Sequence, residues 1–297
     1  MMAYYLHDLS PFIIEFGNGM GIRWYGMSYV MAFVCGWLLY RHLARKGWSD
    51  LKPEETGDFI FACGIFGVLL GGRIGYVLFY RPDMLLQEPL SIFKVWEGGM
   101  SSHGGILGLV FFTLIYARWK KVSWLNLGDN LVVVAPIGLF FGRCANFING
   151  ELFGRPSTLP WAMYFPQELE SYTPALQETM RQDATVREAV IAELQPRHPS
   201  QIYEALVEGA LLFAVLWWMR TRCRMRDGAL TGWFFVLYAV GRISVESMRE
   251  PDAEPILGMT RGQFYSIFLA LIGIAFLLAS WKLDRVRAQK TRNEPQP

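Results

Sequence analysis

Long runs of almost uncharged residues dominate this 297-residue chain. A helix needs about 20 consecutive and mostly apolar residues to cross a bilayer. Seven such windows can be placed, although the third is short; they are centred on residues 22–40, 57–80, 104–119, 126–147, 201–219, 229–247 and 262–281. The composition alone would also suit a large soluble domain, but this distribution of charge predicts an all-α polytopic membrane protein with seven transmembrane helices.

The distribution of Lys and Arg predicts the direction in which the chain crosses the membrane. Taken alternately, the loops on one side hold 16 of these residues and the loops on the other side hold 8. Because cytoplasmic loops carry the excess of positive charge, we expect the N-terminus outside and the C-terminus in the cytoplasm. The first 21 residues contain Asp8 and Glu15 but no Lys or Arg, unlike the basic start of a cleavable signal peptide.

The rest of the pattern favours one integral membrane domain over residues 1–297 with two appendages. The outer loop 148–200 is the longest, and its second half predicts one amphipathic helix, so we expect a small periplasmic head or lid. Residues 282–297 are basic and polar, and we expect a disordered cytoplasmic tail at anionic lipid headgroups. Residues 1–21 are expected to lie along the membrane interface.

Glycines in the second predicted span favour close helix packing. Gly64, Gly67, Gly71 and Gly75 recur every three or four residues, which is the small-residue ridge by which membrane helices approach one another. Arg73 lies beside this ridge. A structural ion pair and a ligand role are equally compatible with Arg73 at this stage.

A lone histidine, His103, stands between the glycine pairs 98–99 and 104–105, just before the third span. We expect these glycines to let the loop dip into the membrane face, which is tolerated where protein or a wet cavity covers it. Structural and functional roles are about equally compatible with His103.

The four cysteines are scattered along the chain. Their spacing suggests neither a metal site nor a disulfide framework. We therefore expect small apolar residues at these positions, and neither a metal nor a cofactor.

Residues 142–154 are unusual because they place polar groups where the fourth span should leave the lipid. At helical spacing Arg143, Asn146 and Gly150 share one face, with Asn149 beside them. A charged side chain near the bilayer centre costs about 2.5–3.5 kcal/mol on the insertion scale. A chain that only had to cross the membrane would have no use for this mixture.

Acidic side chains in or near the spans offer partners for the arginines: Asp58, Asp129, Glu204, Glu208 and Glu246. Gln201, Glu204 and Glu208 share a face that we expect to point into the bundle. Arg242 and Glu246 stand four residues apart, where they can pair along one helix.

In the predicted orientation Arg143 and Arg242 both lie toward the outer half of the membrane, as do Glu204, Tyr25 and His103. Two guanidinium groups in a sheltered cleft suit a phosphate, since their planar forks bind its oxygens bidentately and stay charged at low dielectric. The residues therefore predict a site for an outer-leaflet phospholipid headgroup between helices. For Tyr25 taken alone, an interfacial anchor is the simpler interpretation.

The stretch GRCANFINGELFG at residues 142–154 resembles the signature of the phosphatidylglycerol–prolipoprotein diacylglyceryl transferases. Four other blocks are similar to the same family: RWYG at 23–26, GGRIGY at 71–76, HGG at 103–105 and RHPSQIYE at 197–204. They follow the family's order from about residue 10 to 280.

The resemblance implies transfer of the diacylglyceryl group of phosphatidylglycerol to the lipobox cysteine thiol of a prolipoprotein signal peptide, with release of glycerol phosphate. It also implies a seven-helix protein of the bacterial inner membrane, among membrane lipids, with an outward N-terminus. We expect no nucleic-acid partner. The residues that match important positions of the family are Tyr25, His103, Arg143, Asn146, Glu151, Gly154, Tyr238, Arg242 and Glu246; we add Arg73 and Asn149 as candidate substrate-binding residues.

These residues suit the implied chemistry. A thiol with a pKa of about 8.5 must become a thiolate before it attacks. Arg143 is expected to hold the headgroup phosphate and Arg242 to stabilise charge on the leaving group. Asn146 and Glu151 are candidates to orient the glycerol hydroxyls. His103 is the candidate base, although a base assisted by lipid phosphate or by the arginines is an alternative.

Two other classes of function use similar residues. A transporter or flippase for an anionic lipid should show pseudo-symmetric halves, and the sequence has no internal repeat. An acyltransferase or lipid phosphatase needs a nucleophile beside a base, or a metal cluster, and the histidines and acids have no such spacing.

Overall fold

The structure is a computed structural model that describes residues 4–17, 20–94, 98–251 and 254–293. Its regular elements are mostly helical. The helices are α1 (Trp24–Arg45), α2 (Thr56–Ala62), α3 (Leu70–Tyr80), α4 (Asp83–Gln87), α5 (Ser102–Lys120), α6 (Trp124–Asn149), α7 (Pro174–Gln182), α8 (Ala184–Glu193), α9 (Ser200–Glu204), α10 (Leu212–Arg222), α11 (Ala229–Glu246) and α12 (Arg261–Asn293). Two π-helical segments, Cys63–Leu69 and Ala205–Leu211, join α2 to α3 and α9 to α10.

Four helices in the described part of the chain are long and apolar enough to cross a membrane: Thr56–Tyr80, Trp124–Asn149, Ser200–Arg222 and Arg261–Asp284. These coincide with four of the seven predicted windows. The other three windows coincide with α1, α5 and α11, which are helical but fall outside that set. The predicted helical membrane protein is confirmed, whereas the count of seven spans stays a prediction.

The chain divides into two compact units. The first contains residues Met1–Ala32, Ala135–Arg224 and Gly232–Leu278, and the second contains Phe33–Val134, Met225–Thr231 and Ala279–Pro297.

In the second unit, three glycines of the predicted ridge pack against α5, whereas the fourth, Gly64, lies against the ring of Phe33 in α1. A Cβ added at Gly71 would lie 2.7 Å from the Cα of Gly108, and one added at Gly67 would lie 3.0 Å from the Cα of Leu109. Gly75 meets Gly104 in the same way. The missing side chains thus allow the two backbones to approach closely, as the spacing predicted.

The expectation that residues 104–105 belong to a loop dipping into the membrane was wrong. Both glycines lie inside α5, whose first turn is capped by Ser101: its Oγ accepts a hydrogen bond from the backbone N–H of Gly104 at 3.1 Å. Gly104 is needed for close packing against α3 rather than for loop flexibility.

Asp129, one of the acids considered as a partner for arginine, has a capping role in the second unit. Its carboxylate accepts hydrogen bonds at 2.8 Å from the backbone N–H groups of Gly228 and Thr231 and from the Thr231 hydroxyl. These contacts satisfy backbone donors at the start of α11.

The first unit contains a small head with its own apolar core. Strand β1 (Tyr5–Leu6) pairs in parallel with β4 (Met163–Tyr164), and β2 (Phe12–Gly17) pairs antiparallel with β3 (Met20–Arg23). The buried core side chains are Leu6, Met180, Val190 and Leu194. The N-terminal segment therefore joins the head through Leu6 rather than lying wholly along the interface.

The single amphipathic helix predicted in the head is two helices, α7 and α8. The break occurs at Asp183, which has an extended backbone. Its carboxylate accepts from the backbone N–H of Thr185 at 2.8 Å and from the Thr185 hydroxyl at 2.6 Å. An aspartate that caps its own following turn in this way starts a new helix.

The tail expected to be disordered instead continues α12 as far as Asn293. Residues 294–297 lie outside the described residues.

Candidate active site

The fourth predicted span, α6, meets the helix formed by α9, the π-helical segment and α10 at a glycine. A Cβ added at Gly209 would lie 2.7–3.0 Å from the backbone N, Cα and Cβ of Phe140. The two backbones are therefore in direct contact. Glu208 precedes this glycine, and Arg143 follows Phe140 by three residues on the same face of α6.

Glu204 is the shared partner of three arginines. Its carboxylate lies 2.8 Å from Arg143 Nε, 3.1 Å from Arg242 Nη1 and 3.0 Å from Arg249 Nη1. The residue is 0% exposed. A buried carboxylate with three guanidinium partners avoids the large cost of an unpaired buried charge.

Glu208 is the second acid of this cluster and is also fully buried. One carboxylate oxygen lies 3.4 Å from Arg143 Nη2 and the other lies 3.5 Å from Arg242 Nη1. Glu204 and Glu208 thus hold Arg143 and Arg242 side by side.

Arg242 also pairs with Glu246 along α11, with 2.8 Å between Arg242 Nη2 and Glu246 Oε2. This is the pair that the i,i+4 spacing predicted. A Cβ added at Gly262 would lie 2.5 Å from the Glu246 carboxylate. One added at Gly241 would lie 3.0 Å from Val207 Cγ1. Gly262 thus lets its backbone approach the Glu246 carboxylate, and Gly241 lets α11 approach Val207.

The six side chains Arg143, Arg242, Arg249, Glu204, Glu208 and Glu246 form what we call the Arg–Glu cluster. Its three positive and three negative formal charges cancel. Because the acids neutralise the arginines, the cluster as a whole offers no excess positive charge to a substrate, and any anion must be bound by the particular N–H groups that the acids leave open.

Arg143 is the cluster arginine with the most exposed side chain, at 19%. Its Nε and Nη2 face Glu204 and Glu208. No described residue makes a hydrogen bond or ion pair with Nη1. The edge of the guanidinium formed by Nη1 and Nη2 therefore keeps N–H donors available. This edge can bind two phosphate oxygens at once.

A cavity of about 210 Å³ adjoins Arg143. It is lined by Ser28, Tyr29, Ala32, Gly138, Leu139, Gly142, Arg143 and Asn146. The polar side chains in this lining come from α1 and α6, and the apolar and glycine positions lie along the same helices. A cavity with a guanidinium and an amide beside an apolar wall suits a molecule with a polar head and an apolar body.

Asn146 and Glu151 contact each other across the end of α6. The Asn146 side-chain amide donates to Glu151 Oε1 at 2.7 Å, and the Glu151 backbone N–H donates to the Asn146 carbonyl at 3.1 Å. Between them, Gly150 has φ +67° and ends the helix in the left-handed conformation that glycine tolerates.

The turn after α6 is held by the start of α9. The side chain of Gln201 donates to the Glu151 carbonyl at 2.7 Å, and the Ser200 hydroxyl donates to the Leu152 carbonyl at 3.0 Å. Leu152 has φ +58°, which is strained for a residue with a side chain. These contacts explain how the block at 197–204 supports the block at 142–154.

Gly154 lies where its own backbone segment meets the segments that contain His198 and Met248. Its N–H donates to the His198 carbonyl at 2.8 Å, and an added Cβ would collide with Met248 and His198. Partial burial lowers the pKa of His198, whose Nδ1 lies 3.3 Å from Tyr203 Oη. Gly154 is thus required by packing at this junction.

Three further predicted site residues belong to the first unit: Tyr25, Asn149 and Tyr238. Tyr25 stacks edge-on against the cavity residue Tyr29, with 5.5 Å between ring centroids. Tyr238 precedes Arg242 by four residues on the same face of α11. The Asn149 side-chain oxygen is buried and finds no hydrogen-bond partner among the described residues.

His103 and Arg73 belong to the second unit. His103 is an exposed residue in the first turn of α5. Arg73 is 2% exposed, and its guanidinium donates to the carbonyl of Gly98 and, at 3.5 Å, to that of Gly99. It also lies 5.8 Å from the ring centroid of Tyr76. The contacts described for Arg73 tie α3 to the backbone of Gly98 and Gly99, shortly before α5 begins.

Sequence reasoning did not select Glu204, Glu208, Arg249, Ser28 or Tyr29 as site residues. The two acids had a detectable signal, because they share an inward face with Gln201. Ser28 and Tyr29 lacked one, since a serine and a tyrosine near a membrane interface are common.

The chain is similar to one family of known proteins along most of its length. The family model described as prolipoprotein diacylglyceryl transferase matches residues 11–279. Three bacterial proteins named phosphatidylglycerol–prolipoprotein diacylglyceryl transferase are similar along most of their length. That of Nitratidesulfovibrio vulgaris is 42% identical over 284 residues, covering 94% of this chain and 96% of that protein. Those of Idiomarina loihiensis (92% of this chain, 94% of that protein) and Ralstonia pickettii (93% and 94%) are 42% and 43% identical.

Proposed function

We propose that the cavity beside Arg143 is the lipid site of this chain, which belongs to the prolipoprotein diacylglyceryl transferase family. The protein is a transferase that moves the diacylglyceryl group of phosphatidylglycerol to a prolipoprotein. The observation that supports the location is the paired state of Arg143: two buried acids hold the Nε and Nη2 atoms of its guanidinium, and the residue lines the cavity.

In this proposal the acceptor is the lipobox cysteine of the prolipoprotein signal peptide. Its thiol loses a proton, and the thiolate sulfur forms a C–S bond with the glyceryl carbon that carries the phosphate oxygen. The C–O bond of that carbon breaks, its electron pair stays on the phosphate oxygen, and glycerol phosphate leaves. The products are a thioether-linked diacylglyceryl group and a phosphomonoester.

Arg143 binds the phosphodiester through the donors that Glu204 and Glu208 leave open. Because these acids are buried and fixed, the guanidinium is oriented before substrate arrives, and preorganised donors of this kind stabilise charge that develops in the transition state. Arg242 stabilises the negative charge on the departing glycerol phosphate. The cost of burying both arginines is met by the same acids.

Asn146 and Glu151 orient the glycerol hydroxyls of the headgroup. Asn146 lines the cavity, and its amide nitrogen already donates to Glu151, so the two side chains can present an amide oxygen and a carboxylate together. Tyr25, Asn149, Tyr238 and Glu246 act at the edge of this arrangement, and Gly154 is required for the fold of the turn that carries Glu151.

We assign His103 as the base that accepts the thiol proton, and Arg73 as a residue that supports substrate binding. Both assignments rest on the resemblance of blocks 71–76 and 103–105 to the family. The pH–rate profile of His103→Gln tests the first assignment.

The proposed topology has seven spans in the bacterial inner membrane. The N-terminus and the head formed by residues 148–200 face the periplasm, and residues 282–297 face the cytoplasm. The support is the excess of Lys and Arg in alternate loops, 16 against 8. In this orientation residues 142–154 lie at the outer leaflet.

The assay that tests the function uses labelled phosphatidylglycerol and a lipobox peptide with the purified protein in detergent or vesicles. We expect thioether-linked diacylglyceryl peptide. Movement of the lipid between leaflets without peptide modification would indicate a flippase, and release of labelled phosphate without the peptide would indicate a phosphatase.

Arg143→Ala tests the location of the site in the same assay. We expect transfer to be abolished while the melting temperature shows that the protein is folded. The matched control is Arg187→Ala, which removes an exposed arginine of α8 in the same unit. Normal transfer by the Arg143 variant would refute the proposed site.

A further inference from the structure

The N-terminal segment places a buried histidine against the end of α6. His7 is 0% exposed. Its ring stacks on Phe165, with 5.2 Å between centroids, and meets Phe147 edge-on at the same distance. Phe147 directly follows Asn146 in α6. His7 thus links the N-terminal segment, described from residue 4 onward, to the end of α6 next to Asn146.

His7 also binds a side chain that fills the space beside Gly150. Nδ1 of His7 lies 3.1 Å from Nε2 of Gln167. The contact joins a ring nitrogen to a side-chain amide, and which group donates depends on the tautomer of the ring and the orientation of the amide. Burial lowers the pKa of His7 and so favours the neutral ring.

Gln167 in turn occupies the volume that a Cβ at residue 150 would need. The Cδ, Nε2 and Oε1 atoms of Gln167 are all in contact with that position. Gly150 is buried, and it lies in the turn between Asn146 and Glu151, whose side chains are hydrogen-bonded to each other. The amide of Gln167 therefore packs against Gly150, while Gln201 and Ser200 donate hydrogen bonds to the carbonyls of Glu151 and Leu152.

We propose that His7 is a positioning residue for the transferase reaction, acting through Gln167 and Gly150 on the Asn146–Glu151 pair. The inference rests on the proposed function of that pair. His7 does not touch substrate in this account. It fixes the rotamer of Gln167, and Gln167 fixes the position of the turn from which Glu151 reaches Asn146.

If His7 served only to pack between aromatic rings, any aromatic side chain of similar size could replace it. The ring contacts with Phe165 and Phe147 need an aromatic side chain, whereas the contact with Gln167 needs a hydrogen-bonding atom at the position of Nδ1. Two substitutions separate these requirements. His7→Phe keeps a ring and removes the hydrogen-bonding atom, and His7→Asn removes the ring and keeps an amide group close to the position of Nδ1.

The experiment measures kcat and KM for transfer from labelled phosphatidylglycerol to a lipobox peptide, with wild type, both His7 variants and Gln167→Ala. Loss of the hydrogen bond to Gln167 should displace the turn, and a displacement of about 1 Å near reacting groups can lower a rate about 100-fold. We therefore expect His7→Phe to reduce kcat about 10- to 100-fold and His7→Asn to reduce it less. Melting temperatures establish that each variant is folded.

A double variant completes the test. In His7→Phe combined with Gln167→Ala, the second substitution should add little to the first, because both act through one contact. Wild-type kcat in folded His7→Phe, or full additivity in the double variant, would overturn the proposal. If His7→Phe does not fold, a kcat of His7→Asn no higher than that of Gln167→Ala would overturn it.

The same measurements distinguish failure of this inference from failure of the proposed function. Arg143→Ala serves as the reference for the site. If that variant loses transfer while His7→Phe keeps it, only the inference about His7 is wrong. If the Arg143 variant transfers normally, the proposed site itself is wrong.

Discussion

Replacement of Glu204 by glutamine is expected to damage both stability and transfer. Glu204 is fully buried and has three guanidinium partners at 2.8–3.1 Å. Glutamine has the same size but no charge, so the Arg–Glu cluster would change from neutral to a net charge of +1 without a large change in packing. Breaking a buried ion pair by removing one partner costs about 3–5 kcal/mol.

Activity should fall for a related reason. The Glu204 carboxylate holds the Nε edge of Arg143 at 2.8 Å, so its loss frees the guanidinium to move from the position in which it meets the phosphate. A misplacement of about 1 Å corresponds to about a 100-fold loss of rate. We expect kcat/KM to fall by about this factor in the fraction that remains folded.

Two assays measure these effects on Glu204→Gln: thermal melting in detergent, and transfer from labelled phosphatidylglycerol to a lipobox peptide. The matched control is Glu170→Gln, which makes the same chemical change at an exposed position of the first unit. A Glu204→Gln protein with wild-type melting temperature and wild-type transfer would show that the acid neither stabilises the cluster nor orients Arg143.

Three further predictions concern other parts of the molecule. Gly71→Ala should lower stability by about 1–3 kcal/mol through overpacking, because its Cβ would lie 2.7 Å from Gly108 Cα; Gly36→Ala, with open space at its Cβ, is the thermal-melting control, and equal effects would contradict the ridge. His103→Gln should lose the acidic limb of the pH–rate profile, and an unchanged limb would exclude His103 as the base. A membrane-impermeant thiol reagent applied outside should leave Cys223 unmodified, since labelling from that side would reverse the proposed orientation.

The helices and one packing surface could be predicted from sequence because each has a local signal. Uncharged windows marked every long helix, and glycine spacing identified the ridge at Gly67, Gly71 and Gly75. The partner of that ridge could not be identified in the same way. Gly104 and Gly108 lie on α5, and Gly104 looked like part of a flexible loop because glycine is common in both settings.

The candidate site was predictable only in part. Arg143 and Arg242 were conspicuous because charge within a membrane helix is costly, and the Arg242–Glu246 pair followed from i,i+4 spacing. The contacts of Glu204 with arginines from two other segments depend on how the helices pack. No spacing within one helix contains that information, which is why the paired state of Arg143 was found only in the structure.

The head shows how a local signal can mislead. The apolar pattern across its second half was read correctly as helical, but Asp183 divides it through contacts of its own side chain. The burial of His7 had no sequence signal, because it results from pairing between β1 and β4, which are more than 150 residues apart.

The central claim is that Arg143, held by Glu204 and Glu208, binds the headgroup phosphate of phosphatidylglycerol. The most direct test is an experimental structure of the protein with phosphatidylglycerol bound in a lipid environment. The claim predicts phosphate oxygens about 2.7–2.9 Å from the Nη atoms of Arg143, in the cavity lined by Tyr29 and Asn146. A headgroup bound elsewhere, with Arg143 still paired only to the two acids, would contradict it.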